Sequence, residues 1–133
     1  MDKKENIDLA SYRLERAKEE NRIAKSLAKD KYFLAANNRA YYSIFYAVRA
    51  VLAMERVDFK KHKDVTAYFN QHYVKTEIFP KALGRKIIIA SKVREDSDYD
   101  DGFVQSAEIT YEQIETSNQL IKLVEEYLSK NSW

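Results

Sequence analysis

The chain has 133 residues, the size of one domain built around one hydrophobic core. Hydrophobic residues make up 45% and charged residues 33%, as in ordinary globular proteins, and a net charge of +2 is too small to predict a polyanionic partner by itself. The absence of cysteine excludes disulfides, thiolate zinc sites and cysteine nucleophiles.

Long helices are the expected architecture, because two glycines and one proline leave few residues that form turns. In chain order, the apolar periodicity predicts helices over residues 7–28, 31–56 and 63–76, a fourth beginning at Pro80, and a fifth over 105–130. We expect an all-α protein, a four- or five-helix up-and-down bundle with one shorter pair inserted, that forms a single domain over residues 1–133.

Each predicted helix has one face that suits a core. The first helix carries mostly small residues at alternating three- and four-residue steps, which favour close packing against a neighbour. The predicted core positions are Ile7, Ala10, Leu14, Ala17, Asn21, Ala24 and Ala28 in the first helix; Val65, Tyr68, Phe69, His72 and Tyr73 in the third; Leu83, Ile87, Ala90 and Val93 in the fourth; and Tyr111, Ile114, Ile121, Val124 and Leu128 in the fifth.

The second helix is unusual because neither of its sides has the composition of a solvated face. One arc collects Ala40, Tyr41, Ile44, Phe45, Ala47, Val48, Val51 and Leu52. The other holds Arg39, Tyr42, Ser43, Tyr46, Arg49, Ala50, Ala53 and Met54, and no lysine, aspartate or glutamate occurs between residues 38 and 54. Both sides are predicted to be covered, the second by another helix, a second copy of the chain or a ligand.

Arg39, Tyr42 and Tyr46 lie in one line on that second arc, with Arg49 beside them. Arg39 and Tyr46 are separated by about 10 Å of helical rise, with Tyr42 one turn from each. A guanidinium binds phosphate through paired donors and aromatic rings stack on bases, so these residues suit a nucleotide or RNA. The alternative is a buried arginine paired with a carboxylate from another helix, with the tyrosines as amphipathic core residues.

Other chemistry has weaker support. The two histidines, His62 and His72, lack carboxylates that could complete a ligand set, so no metal or cofactor is predicted, and His62 is expected to organise the start of the third helix. The segment after Arg94 does not match the spacing of a calcium loop. It is predicted to be a solvated loop, or the source of a carboxylate for Arg39 or Arg49, through Asp96, Asp98, Asp100 and Asp101.

The chain is expected to be cytoplasmic. Its opening residues, "MDKKEN", lead into no apolar segment, so no signal peptide is predicted. No stretch approaches the roughly 18 consecutive apolar residues that suggest a membrane-spanning helix.

Several segments resemble, in order, the motifs of the HEPN domain family. The segment "RAYYSIFYAVRAVLA" is similar to the family's RAYY-x-x-F-H-A-x-RALL pattern, and "KKHKDV" to its K-x-H-x-x-V pattern at the start of the third helix. Further along, "YFNQHYVKTEIFPKALGRKI" resembles the family's F-x-x-x-F-V-K-x-x-x-x-P-K-x-L-G-R stretch, and "VREDSDYDDG" its R-x-x-A-D-Y-D segment. The likeness extends over about residues 9–130.

The resemblance implies a helical bundle that dimerises. Many members are metal-independent ribonucleases with an Arg-x(4–6)-His motif supplied by both protomers, and many are toxin halves of two-gene modules with a minimal nucleotidyltransferase. Arg39 occupies the arginine position, but Tyr46 stands where the histidine would be. In members with Arg-x(4)-His-x-Tyr the partner can adenylylate the tyrosine, and Arg39 and Tyr46 also match that pattern, with Ile44 in place of its histidine.

The missing histidine argues against efficient RNA cleavage. A metal-free ribonuclease needs an acid or base that titrates near pH 7, whereas an unperturbed tyrosine has a pKa of about 10. We therefore expect a homodimeric nucleotide- or RNA-binding module, paired with a nucleotidyltransferase in a toxin–antitoxin-like system, whose site comprises Arg39, Tyr42, Tyr46 and Arg49. The alternatives are a metal-independent toxin endoribonuclease, using Arg39 with Tyr46 or a distant residue as proton shuttle, and a purely structural interaction protein.

Overall fold

The computed structural model describes residues 3–99 and 106–131, and every regular element within them is helical. The helices are α1, Lys3–Lys29; α2, Phe33–Ala53; α3, His62–Phe69; α4, Lys81–Tyr99; and α5, Ala107–Asn131. A π-helical turn, Asn70–Val74, continues α3. The predicted all-α class is confirmed. None of the described helices is both long enough and apolar enough to cross a bilayer.

The four long helices run alternately up and down, with α3 between α2 and α4. Their directions are fixed by contacts between helices: Arg13 with Arg49 and Glu20 with Arg39 for α1 and α2; Asn37 with Ser97 and Tyr42 with Arg94 for α2 and α4; and Lys18 with Glu125 and Asn21 with Ser117 for α1 and α5. In each of these pairs a later residue of one helix meets an earlier residue of the other, so the helices are antiparallel.

The second helix lies at the centre of the bundle. All eight residues of its predicted core arc are buried. Its other side is covered by α1, where the Ser43 hydroxyl donates to the Ala17 carbonyl oxygen at 2.7 Å. Of the three covers that the sequence left open, another helix of the same chain therefore accounts for this side, and the packing of α2 does not require a second copy.

Small residues let α1 approach α2 and α5 closely. Ala10, Ala17, Ala24 and Ala28 are all buried, as their spacing predicted. A polar junction joins the three helices, because the Ser43 and Ser117 hydroxyls lie 2.6 Å apart and the Asn21 side-chain amide donates to Ser117 at 2.8 Å. These buried groups satisfy one another, which avoids the cost of desolvated polar atoms without partners.

Two predicted core positions are wrong. Tyr111 is exposed, and Leu120 is buried in its helix instead, because α5 also uses polar residues such as Gln113 and Ser117 on its buried face and so shows a weak apolar period. His72 is exposed, because the wide π-helical turn changes the register: Tyr73 points into the core, while His72 packs outside against the Tyr68 ring at 4.1 Å between centroids.

The fourth helix extends into the acidic segment that was predicted to be a loop. With 8 and 19 residues, α3 and α4 are the two shortest of the five helices, in agreement with the predicted shorter pair. Asp96 and Asp98 belong to the last turns of α4, where they pair with Lys92 and Arg94 one turn earlier. These pairs stabilise the helix, which explains why this part is not a loop. Asp100 and Asp101 lie outside the described residues.

Candidate functional site

The four predicted site residues lie along one edge of α2, between α1 on one side and α3 and α4 on the other. Tyr42, Tyr46 and Arg49 are half-buried there, and Arg39 is exposed. The smaller residues of the same arc, such as Ser43 and Ala50, are fully buried. Burial along this arc therefore depends on side-chain size. The small side chains are covered by the neighbouring helices, while the longer arginine and tyrosine side chains reach the surface.

Arg39 pairs with a carboxylate from another helix, as one alternative predicted, but it is exposed and not buried. Its Nη1 lies 3.0 Å from Oε1 and 3.2 Å from Oε2 of Glu20, an α1 residue whose side chain is only 5% exposed. The Arg39 side chain is itself 46% exposed. Arg39 thus neutralises a buried carboxylate from another helix and also faces solvent. The carboxylate comes from α1, so the prediction that the acidic segment would supply it is wrong.

Tyr46 lies beside a second arginine from α1. The guanidinium carbon of Arg16 is 5.1 Å from the centre of the Tyr46 ring, a cation–π distance. Arg16 also approaches Glu20, with Nη2 and Oε2 3.8 Å apart. Glu20 is therefore shared between Arg16 and Arg39, and these residues connect Arg39 to Tyr46 through α1.

Arg49 forms a similar arrangement at the far end of the edge. Its Nη2 lies 2.6 Å from Oδ2 of Asp58, and Nη2 of Arg13 lies 3.3 Å from the same oxygen. Burial acts to raise the pKa of Asp58, but the hydrogen bonds from Arg49 and the Phe59 amide, with the charges of Arg49 and Arg13, hold it below its usual value. Asp58 is in the loop before α3, and not in the acidic segment that was predicted to serve Arg49.

An aromatic cluster flanks Tyr42 on the side of α3 and α4. The guanidinium carbon of Arg94 lies 5.3 Å from the ring centre of Tyr41 and 5.6 Å from that of Tyr42, and Arg94 donates to the Tyr42 hydroxyl at 3.3 Å. The His62 ring is 4.0 Å from the Phe45 ring, and its Nδ1 is 3.1 Å from the Tyr41 hydroxyl. His62 is the first residue of α3, where the sequence predicted a structural role, and it joins α3 to α2 inside a cluster that the sequence did not reveal.

His62 should make the fold sensitive to mild acid. Burial, followed by the charges of Arg94 and Arg49, lowers the pKa of His62 below its ordinary value of 6.5. The unfolded chain therefore binds a proton at His62 at a higher pH than the folded chain, and stability must fall as pH drops through 6.5 toward the lower folded-state pKa. The pKa of Asp58 is lowered from its ordinary value of 3.8, so Asp58 changes the stability only below pH 3.8, outside the range in which His62 titrates.

The measurement is the melting temperature between pH 8 and pH 5, a range of about three units centred on the titration of histidine. We expect His62→Gln to lose less stability than the wild type across this range. His72→Gln is the matched control, because His72 is exposed and outside the cluster. If the two variants show the same acid dependence as the wild type, His62 does not contribute.

Arginines outnumber the carboxylates that pair with them along this edge. We call Arg13, Arg16, Arg39, Arg49 and Arg94 the arginine seam. Their ion pairs use three carboxylates, since Glu20 and Asp58 each serve two arginines and Asp98 pairs with Arg94. Five guanidinium groups therefore share three paired carboxylates, beside the half-exposed rings of Tyr42 and Tyr46. Such a surface is suited to bind phosphate groups and stack on bases.

The sequence predicted the α2 members of the seam, Arg39 and Arg49, but not the members from α1 and α4. Arg13, Arg16 and Glu20 have spacings of three and four residues, which place them in one line on α1, but their position opposite α2 depends on how the two helices pack. Arg94 could be placed only once α4 was known to continue past it. Within residues 3–99 and 106–131, no three histidine or acidic side chains gather where they could hold a metal ion.

Comparisons with known proteins agree with the motifs. The family model for the HEPN domain matches residues 10–127. A UPF0332 protein of Thermotoga maritima is 41% identical over 85 residues, 64% of this chain and 63% of that protein. Two proteins of Methanocaldococcus jannaschii are named as candidate toxins. One is 31% identical over 87 residues, which are 65% of this chain and 59% of that protein. The other is 33% identical over 86 residues, which are 65% of this chain and 64% of that protein. The matched segments thus span less than two thirds of these relatives' lengths.

Proposed function

This chain belongs to the HEPN domain family, and we propose that it is a nucleotide- or RNA-binding module of a toxin–antitoxin-like system, without efficient nuclease activity. The observation that carries the proposal is the excess of guanidinium groups in the arginine seam next to two half-exposed tyrosine rings. The names of the two archaeal relatives support the biological setting.

The ion pairs of the seam leave donors for a ligand. A guanidinium has five N–H groups, and the hydrogen bonds of Arg39 to Glu20 all start at its Nη1. A phosphate can therefore bind Arg39 through Nη2 and Nε without displacing Glu20. Tyr42 and Tyr46, one turn apart on the same helix, offer rings beside that phosphate on which bases can stack. The paired carboxylates, of which Glu20 is buried, then hold the guanidinium groups in place.

The same geometry disfavours cleavage. Tyr46 occupies the position of the motif histidine, and the Arg16 guanidinium lies against its ring. A tyrosine is a poor general base at neutral pH, and the seam offers no other base at that position. The endoribonuclease alternative would need a proton shuttle elsewhere, and the structural alternative would need the seam to bind no nucleic acid.

We expect the wild-type protein to bind single-stranded RNA and leave it intact. The measurement incubates end-labelled RNA with the protein in EDTA and follows both gel retardation and fragment length. A retarded, full-length RNA is the expected result. Rapid metal-free cleavage that is lost in Arg39→Ala would instead support the endoribonuclease, and intact RNA without retardation would support a structural protein.

We further propose that the module works as a homodimer and with a minimal nucleotidyltransferase. Membership of the HEPN family supports both partners. Because α1 covers the second side of α2, that side does not need a second copy of the chain to bury it. The proposal of a dimer is therefore supported by family membership alone. Tyr46 is half-buried beside Arg16 and remains the residue that such a nucleotidyltransferase would adenylylate if this chain follows the Arg-x(4)-His-x-Tyr pattern. Light scattering at micromolar concentration would report the dimer as about twice the chain mass.

A further inference from the structure

Three aromatic side chains stack on the outer surface of α3, its π-helical turn and the loop before it. The ring centres of Phe59 and Tyr68 are 5.6 Å apart, and those of Tyr68 and His72 are 4.1 Å apart. Phe59 is 40% exposed, His72 is exposed and Tyr68 is half-buried. We call these three residues the aromatic ladder. None of them belongs to the arginine seam, and their exposed rings offer flat apolar surface to a ligand.

The aromatic ladder begins where the arginine seam ends. Asp58, whose Oδ2 pairs with Arg49 and Arg13, is the residue before Phe59. The other oxygen of the same carboxylate, Oδ1, accepts a hydrogen bond from the Phe59 amide at 2.9 Å. One carboxylate therefore holds the last arginine of α2 and the first ring of the ladder side by side. A strand that lies along the seam can pass from Arg49 directly to Phe59.

Lysines that form no ion pair within residues 3–99 and 106–131 flank the aromatic ladder in the sequence: Lys60, Lys61, Lys63 and Lys75. The acids of the same surface are Asp64, in the first turn of α3, and Glu55, whose carboxylate already accepts hydrogen bonds from the hydroxyls of Tyr68 and Tyr73. The lysine ammonium groups can therefore contact phosphates without breaking an existing ion pair.

We propose that the aromatic ladder stacks on unpaired bases of an RNA strand whose phosphates continue from the arginine seam to the flanking lysines. Exposed rings combined with basic side chains are typical of surfaces that bind single strands, because every base has a face that can stack. Lysine is depleted in protein–protein interfaces, so the lysines around the ladder favour nucleic acid over a second protein. The inference rests on the proposed RNA-binding function, and it extends the site from α2 to α3.

Removing one ring of the ladder tests the proposal. Phe59→Leu loses the flat ring but keeps an apolar side chain against Tyr68. With fluorescently labelled decaadenylate RNA, we expect this variant to bind about tenfold more weakly than the wild type, for the loss of one stacked base. The matched control is Tyr111→Leu, which removes a ring that is 50% exposed on α5, a helix without a residue in the seam or the ladder. This control should bind within about twofold of the wild type.

An abasic strand of the same length separates stacking from an indirect effect on the fold. It keeps the ribose–phosphate backbone and has no bases, so it can contact the arginines and lysines but cannot stack on the ladder. Phe59→Leu should therefore bind the abasic strand as well as the wild type does. Equal weakening for decaadenylate and the abasic strand would overturn the proposal, because the ring would then act through the fold.

The outcomes also separate this inference from the proposed function. If the wild type and Phe59→Leu bind decaadenylate equally well, the ladder proposal is overturned while the seam is not. If that variant instead changes the mass reported by light scattering from two chains to one, the ladder is a contact between copies of the chain. If the wild type binds no RNA, both proposals fail.

Photo-crosslinking of the wild type with RNA that carries 5-iodouracil covers the case in which Phe59→Leu melts early, because it needs no substitution. Crosslinks at Phe59, Tyr68 or His72 support the ladder. Crosslinks confined to α1 and α2 overturn it and leave the seam as the whole RNA site.

Discussion

Arg39→Ala should bind single-stranded RNA roughly 10- to 100-fold more weakly than the wild type, because a charge-assisted hydrogen bond contributes about 1.5–3 kcal/mol. The same change leaves Glu20, which is 5% exposed, with Arg16 at 3.8 Å as its remaining cation. Loss of one partner of a fully buried ion pair costs about 3–5 kcal/mol, and we expect about 1–2 kcal/mol here because Arg39 is half exposed and Arg16 remains.

Binding and stability can be separated with a second substitution. Arg39→Ala combined with Glu20→Gln removes the orphaned charge, so it should recover most of the lost stability and none of the lost affinity. Arg39→Lys keeps the positive charge but loses the planar fork, and it should bind RNA more weakly than the wild type. A lysine variant that binds as well as the wild type would show that Arg39 does not bind phosphate through paired donors.

Tyr46→His should convert the binding module into a metal-independent ribonuclease. The change restores the Arg-x(6)-His spacing, and a general base at this position is expected to accelerate cleavage by about 10²- to 10⁴-fold over the wild type. The Arg16 guanidinium, now 5.1 Å from the Tyr46 ring centre, would favour the neutral imidazole that accepts a proton. The measurement is the rate at which labelled RNA is shortened in EDTA.

Two controls accompany this variant. Tyr46→Phe keeps the ring beside Arg16 without supplying a base, so it should cleave no faster than the wild type. Arg39→Ala combined with Tyr46→His should lose the new activity, because the arginine would stabilise the charge that develops on the phosphate. A wild type that already cleaves as fast as Tyr46→His would mean that the proton shuttle lies elsewhere and that the protein is an enzyme.

Periodicity predicted the central helix well because its signal is local. The apolar residues of α2 repeat at helical spacing, and all eight of its predicted core residues are buried. The partners of the site residues were harder to predict, because Glu20 lies 19 residues before Arg39 and Arg94 lies 52 residues after Tyr42. Those pairings follow from how α1 and α4 pack against α2, which no local pattern encodes.

At the end of α4 the sequence contains a local helix signal, but the acidic composition of the segment led to the prediction of a loop. Its acidic residues suggested a solvated loop, yet the Lys92–Asp96 and Arg94–Asp98 pairs have the spacing that stabilises a helix. The position of His62 required the tertiary structure, since its neighbours Tyr41 and Phe45 come from α2. The sequence thus placed the arginines and tyrosines of α2 along one edge, and the helix packing supplied the carboxylates and additional arginines around them.

The salt dependence of RNA binding tests the central claim most directly. If the arginine seam binds RNA phosphates, the logarithm of the wild-type affinity falls linearly with the logarithm of salt concentration, and Arg39→Ala makes the slope shallower by about 0.7 for the loss of one contact. Arg85→Ala, which removes an exposed arginine of α4 outside the seam, should leave the slope unchanged. A slope that is the same in the wild type and Arg39→Ala, or that changes equally in Arg85→Ala, would contradict the assignment of the seam as the RNA-binding site.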